Sequence, residues 1–151
     1  MRILAIDPGE KRIGIAISDP EGYLARPLTI INHLSREKDA INIIQLAREN
    51  GCNLILVGQA LDFQGFSGYR ARSSQKLAEM IRSYTDQDVI LWDESNTTLR
   101  VMEIDLLTKS TRKKRTAYKD ARAAAFLLDD FLKSDIFAAI KKEKNATKEE
   151  K

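Results

Sequence analysis

The chain has 151 residues, 43% of them hydrophobic and 31% charged, with a formal net charge of +3. That length suits one domain with a real core and leaves little room for two. One cysteine, Cys52, and one histidine, His33, exclude an internal disulfide, a cysteine-based zinc cage and any choice of rival bases for a catalytic triad.

The first predicted element is a strand over residues 2–7, Arg2-Ile3-Leu4-Ala5-Ile6-Asp7, stopped by the turn pair Pro8-Gly9. Residues 12–18 then alternate, with Ile13, Ile15 and Ile17 separated by Gly14 and Ala16, which is the period of a strand whose small side faces a close neighbour. A third strand over about 23–31 contains Pro27, which argues for an edge position or a break. These three read as a meander.

Ser35 can cap a helix over about 36–49, where Ala40, Ile43, Ile44 and Ala47 recur at helical spacing and Asn50-Gly51 ends the run. Cys52 precedes the continuous apolar strand Leu54–Val57, so it reads as a packed thiol. His33, between a strand and a helix, is expected in a solvated loop without a role. Residues 59–69 read as a loop, and 70–84 as a helix with Leu77, Met80, Ile81 and Tyr84 on one side. Val89–Trp92 is a fifth short strand, ending at Asp93-Glu94, and caps at Ser95, Asn96 and Thr97 predict a helix to about Leu107.

A basic loop follows. Lys109, Arg112, Lys113, Lys114, Arg115 and Lys119 stand in eleven residues without an acid, on a chain otherwise mildly acidic outside its basic end. The next helix is expected over about 116–132, opened by Asp120 and lined by alanines small enough to let it lie close to a sheet. Residues 134–140 add a turn or two, giving a single domain over 1–140, and 141–151 are expected as a flexible charged tail.

The order predicts an α/β fold: a mixed five-stranded sheet, an antiparallel three-strand meander plus two parallel strands, with helices on both faces. Ligands of open sheets of this kind bind beyond the carboxyl ends of the parallel strands. Asp7, Gly58 and Asp93-Glu94 stand at those ends, with Asp120 as a third acidic group. Each aspartate could also be a turn former or a helix-start acid. Carboxylates grouped without histidine or cysteine form a hard-oxygen site, suited to Mg²⁺ or Mn²⁺ and to hydrolysis of phosphodiester bonds. The apolar runs are strand-sized and no leader opens the chain, so no membrane span and a cytoplasmic location are expected.

The segment Asp7-Pro8-Gly9-Glu10-Lys11-Arg12-Ile13-Gly14-Ile15-Ala16-Ile17-Ser18-Asp19 resembles the signature of the YqgF/RuvX family, the Holliday-junction-resolvase-like pre-16S rRNA nucleases. Ile55-Leu56-Val57-Gly58, Asp93-Glu94-Ser95-Asn96-Thr97-Thr98 and Asp120–Leu128 follow in the family's order, so the resemblance covers about residues 1–133. It implies a ribonuclease H-like fold and a metal-dependent nuclease. Asp7, Glu94 and Asp120 would be the catalytic and metal-binding carboxylates, with Asp93 a close alternative to Glu94. Lys11 and Arg12 match basic positions of the motif and, with Arg112, Lys113, Lys114 and Arg115, are candidates for phosphate contacts.

The implied role is maturation of the 5′ end of 16S rRNA. Partners would be pre-16S rRNA or branched DNA, and ribosomal particles, for a monomer or a homodimer. The alternatives are a junction-cleaving DNA endonuclease and a nucleic-acid or ribosome-binding module with weakened catalysis. Two departures motivate the last: Ser95 stands where the family usually carries arginine, and Gln59-Ala60 where it usually reads leucine-proline.

Overall fold

The computed structural model describes residues 1–59, 68–93 and 112–150; for Arg70, Asp93 and residues 112–120 the backbone alone is described. Five strands form one sheet, β1 (Ile3–Pro8), β2 (Arg12–Ser18), β3 (Ala25–Asn32), β4 (Leu54–Gln59) and β5 (Asp88–Asp93), in the order β3-β2-β1-β4-β5. β1 runs antiparallel to β2, and β2 to β3, while β1, β4 and β5 are parallel. The expected meander with two added parallel strands is the observed sheet. β3 lies at the edge, and its register against β2 shifts between Ile15 and Ala16, with Ala16 opposite Pro27. A proline has no N–H for the ladder, so the break in register falls beside it.

Strand alternation divides the core into two layers. Leu4, Ile6, Ile13, Ile15, Ile17, Ile55 and Val57 point to one face, where α1 (Arg36–Glu49) and α2 (Tyr69–Tyr84) cover them with Ala40, Ile43, Ala47, Leu77 and Ile81. Ile3, Ala5, Ala16, Leu54 and Leu56 point to the other, under Ala124, Leu127, Leu128 and Phe131 of α3 (Arg112–Leu132). Ala16 of β2 therefore does face a helix, in the same layer as Ala124. α1 occupies the predicted span. Ser35 accepts from the Lys38 N–H at 3.2 Å, and Gly51 follows the helix at φ +66°, where a side chain would be strained.

Two expectations about the C-terminal third need correction. α3 begins at Arg112 rather than near 116, so Arg112, Lys113, Lys114 and Arg115 are helical and not in a loop. Asp120 consequently falls in the third turn rather than at the helix start. Nothing in 112–119 breaks a helix, and lysine and arginine are good helix formers, which outweighs the repulsion of cations from the dipole's positive end. Second, α4 (Asp135–Glu149) extends through the segment expected as a tail. Ser134 caps it through the Phe137 N–H at 3.2 Å, and Phe137 is buried against Phe131 at a ring-centroid distance of 5.2 Å. Lys141 donates to the Glu21 carbonyl at 2.9 Å and lies 4.2 Å over the Tyr23 ring, while Lys144 reaches Asp88 at 2.5 Å. α4 thus runs from the β2–β3 hairpin to the start of β5, across the amino end of the parallel strands. The expected helix over 95–107 lies outside the described residues. Among the described residues no helix is long and apolar enough to cross a membrane.

Candidate active site

Asp7 is the next-to-last residue of β1, opposite Gly14 of β2. It has the parity of Ile3 and Ala5, which pack under α3, so it belongs to the α3 side of the sheet. There it is half-buried and engaged in interactions with neighbouring groups. The turn that follows is tight: a Cβ on Gly9 would stand 2.4 Å from the Arg12 carbonyl oxygen. Glycine is required at that close approach, and the turn sets where β1 ends.

The register relates the ends of the three parallel strands. Ile6 is level with Val57, and Val57 with Leu91; the next level joins Gly58 to Trp92. Trp92 packs edge-on against Phe131 at 5.1 Å, so Trp92, and not Asp93, shares the side of Asp7. The next position of that parity in the sequence is Glu94, which lies outside the described residues. Asp120 occupies α3 one turn before Ala124, in the row 120, 124, 127–128, 131 whose later members cover Ala5 and Ile3. Phe137, after α3, meets Gly22 beside the Met1 carbonyl, so the carboxyl end of α3 lies at the amino end of β1. The Asp120 end of α3 is therefore directed toward the Asp7 end of β1.

The structure thus brings Asp7 and the Asp120 position to one side of the sheet. Among the described residues, which leave out the side chains of Asp93, Glu94 and Asp120, no group of three histidine, cysteine or carboxylate side chains could hold a metal. Lys11 is exposed at the start of the β1–β2 turn's second arm, and Arg12 opens β2 opposite Asn32 at the sheet edge. The side chains of Arg112, Lys113, Lys114 and Arg115 are outside the description.

One feature at this edge had no sequence-based expectation. A cavity of about 460 Å³ lies beside the Pro8-Gly9-Glu10 turn, on the α1–α2 side, and is lined by His33, Arg36, Asp39, Tyr69 and Ser73. His33 is not simply solvated: its Nδ1 hydrogen-bonds the Asp39 carboxylate, which is 2% exposed and also accepts from the Leu34 N–H at 3.0 Å. A buried carboxylate is costly unless partnered, and these bonds supply the partners. Asp39 alone carried a signal, since it stands on the buried stripe that continues as Ile43 and Ala47, but nothing in the sequence tied it to His33.

The comparisons with known proteins bear on family and fold. The model of the family described as RuvX, Holliday junction resolvase, matches residues 1–134. A protein of Thermoanaerobacter pseudethanolicus named "Putative pre-16S rRNA nuclease" is 35% identical over 136 residues, covering 89% of this chain and 97% of its own. A protein of the same name from Clostridium acetobutylicum is 32% identical over 134 residues, covering 89% and 99%. Among solved structures, the fowlpox virus resolvase in complex with Holliday junction DNA superposes with a TM-score of 0.56 at 13% identity, over 87% of this chain and 97% of that one. T. thermophilus RuvC with a Holliday junction substrate gives 0.54 at 12%, over 84% and 91%. The sheet order and these superpositions make the fold ribonuclease H-like, and the chain belongs to the RuvX family.

Proposed function

We propose that this chain is a divalent-metal-dependent nuclease that hydrolyses phosphodiester bonds in 5′-end maturation of pre-16S rRNA. Asp7, Glu94 and Asp120 are its catalytic, metal-holding carboxylates. The observation that carries the reading is the position of Asp7. It sits half-buried at the carboxyl end of β1, on the side of the sheet that α3 covers, with the Asp120 end of α3 directed toward it. Asp93 follows Trp92 in β5 and so has the parity opposite to the Asp7 side, which favours Glu94 over it as the second carboxylate.

Oxygen donors of this kind fit Mg²⁺ or Mn²⁺, and grouping them is favourable only with a cation present. Bound there, the ion supplies an activated water and neutralises charge on the oxygens of an in-line displacement. Asp7 holds its ligand oxygen on a strand buried on both faces, so the donor is preorganised rather than recruited. Lys11, Arg12 and the cations Arg112 to Arg115 are assigned to phosphate positioning rather than to chemistry. The names of the curated relatives favour pre-rRNA as substrate, and a cytoplasmic location follows from that substrate.

Wild-type and Asp7→Asn protein, each with Mg²⁺ and with Mn²⁺, should be compared on a precursor 16S 5′ fragment and on a four-way DNA junction. Metal-dependent release of the mature 5′ end by the wild type is expected, abolished in the variant with its circular dichroism unchanged. Cleavage of the junction alone would move the assignment to branched DNA. Cleavage of either substrate by Asp7→Asn would remove Asp7 from the chemistry. RNA binding without cleavage under either metal would mean a binding module.

A further inference from the structure

The cavity beside the Pro8-Gly9-Glu10 turn lies on the α1–α2 side of the sheet, and none of the three candidate carboxylates is among the described residues that line it. Its volume, about 460 Å³, is in the range of pockets that enclose a small ligand. Three rigid elements make its walls: the turn directly after Asp7, the first turn of α1 with Ser35 and Arg36, and the start of α2 with Tyr69 and Ser73.

Two of its polar side chains keep hydrogen-bonding capacity to spare. The buried Asp39 carboxylate holds the His33 ring by Nδ1, which leaves Nε2 without a partner among the described residues. The Arg36 guanidinium likewise has no partner among the described residues. Tyr69 is 73% exposed, so its ring is open to the cavity mouth. An imidazole edge, a guanidinium and an open phenol ring together match one nucleotide. Arginine and histidine suit its phosphate, and tyrosine suits the face of its base. Glu10 on the same wall disfavours a second phosphate beside the first.

We propose that this cavity takes one unpaired nucleotide of the nucleic-acid strand whose backbone passes Asp7, with Arg36 and His33 at its phosphate and Tyr69 stacked on its base. Asp39 is a positioning residue that sets the His33 ring. A base inside a regular duplex stays stacked on its neighbours and cannot enter, so the cavity selects single-stranded substrate next to the cleavage site. The inference rests on the nuclease reading only for the identity of the strand.

Because His33 is the only histidine, its ring Cε1–H resonance is a unique reporter of the cavity. Asp7→Asn protein in EDTA, which binds without cutting, is titrated with single-stranded hexauridylate and with a 12-base-pair RNA duplex. Hexauridylate should shift the resonance saturably and the duplex should not. By fluorescence anisotropy of labelled hexauridylate, adding Tyr69→Ala or His33→Ala should weaken binding about fivefold or more, as loss of a base–aromatic stack does. Adding Asp39→Asn should alter the His33 resonance before any RNA is present. A resonance unmoved by hexauridylate, an equal response to duplex, or parental affinity in both alanine variants would overturn the proposal. None of these outcomes bears on whether Asp7 is needed for cleavage, so the two readings fail separately.

Discussion

Gly9 lies against the backbone of Arg12 so closely that a Cβ would stand 2.4 Å from the Arg12 carbonyl oxygen. That contact is with main chain, which cannot swing aside as a side chain would. The β1–β2 turn must open if any other residue stands at position 9, and Asp7 lies two residues before it. Gly9→Ala should therefore lower stability by about 2 kcal/mol and reduce cleavage more than the loss of stability accounts for. Thermal melting and single-turnover cleavage on the same samples measure both. Wild-type cleavage at an unchanged Tm would show that the turn does not set the position of Asp7.

The α3 layer depends on aromatic packing at its far end. Phe131 is fully buried and touches Trp92 at 5.1 Å and Phe137 at 5.2 Å. Phe131→Ala should cost about 3–5 kcal/mol. Trp92 is the only tryptophan, so its emission should move to the red as its neighbour is removed. An unaltered spectrum would mean that α3 does not cover β5 in solution.

Burial pushes the Cys52 thiol up to about 11, against the smaller opposing pull of the Arg2 guanidinium. At pH 8 the reactive thiolate is then on the order of one part in a thousand. Native protein should resist iodoacetamide at pH 8 and react fully once unfolded in guanidinium. Fast alkylation of the native state would place Cys52 at the surface.

Asp19 closes the β2–β3 hairpin by accepting from the Leu24 N–H at 2.9 Å and the Tyr23 N–H at 2.6 Å, and these bonds, Leu24's foremost, hold its carboxyl below the ordinary value. A lowered native value means that folding favours the charged form. The contribution is complete above the ordinary carboxylate range and disappears as pH falls through the lowered one. Asp19→Ala should thus melt below the wild type at pH 7, and the gap should narrow at pH values under roughly 4. A gap constant from pH 7 to pH 2 would assign the loss to something other than the carboxylate.

What could be read from the residues depended on how strongly a local pattern was tied to one face. The alternation of Ile13, Ile15 and Ile17 with Gly14 and Ala16 gave β2 its span, and the Ser35 and Asn50-Gly51 caps gave α1 both ends. The last helix had no such pattern. Beyond Ile140 the chain is lysine, glutamate and small polar residues, and its helix is anchored by Phe137 and by Lys141 and Lys144 reaching residues more than fifty positions away. The Asp7 side of the candidate site was legible because strand ends and a distinctive thirteen-residue segment coincided there. The His33–Asp39 pair was not, since it joins a strand's exit to a helix's first turns and only the folded backbone brings the two together.

The position of α4 also bears on how the protein comes to be made. The meander and α1 are available early in synthesis, but the cover of their second face is encoded after residue 112, and the helix that clasps the β2–β3 hairpin comes after residue 134. Until then the Ile3, Ala5 and Ala16 face of the nascent sheet lacks the α3 residues that pack on it. A ribosome carrying a partial chain therefore holds an apolar sheet face that α3 has yet to cover, with Asp7 at its edge before the helix that carries Asp120 arrives.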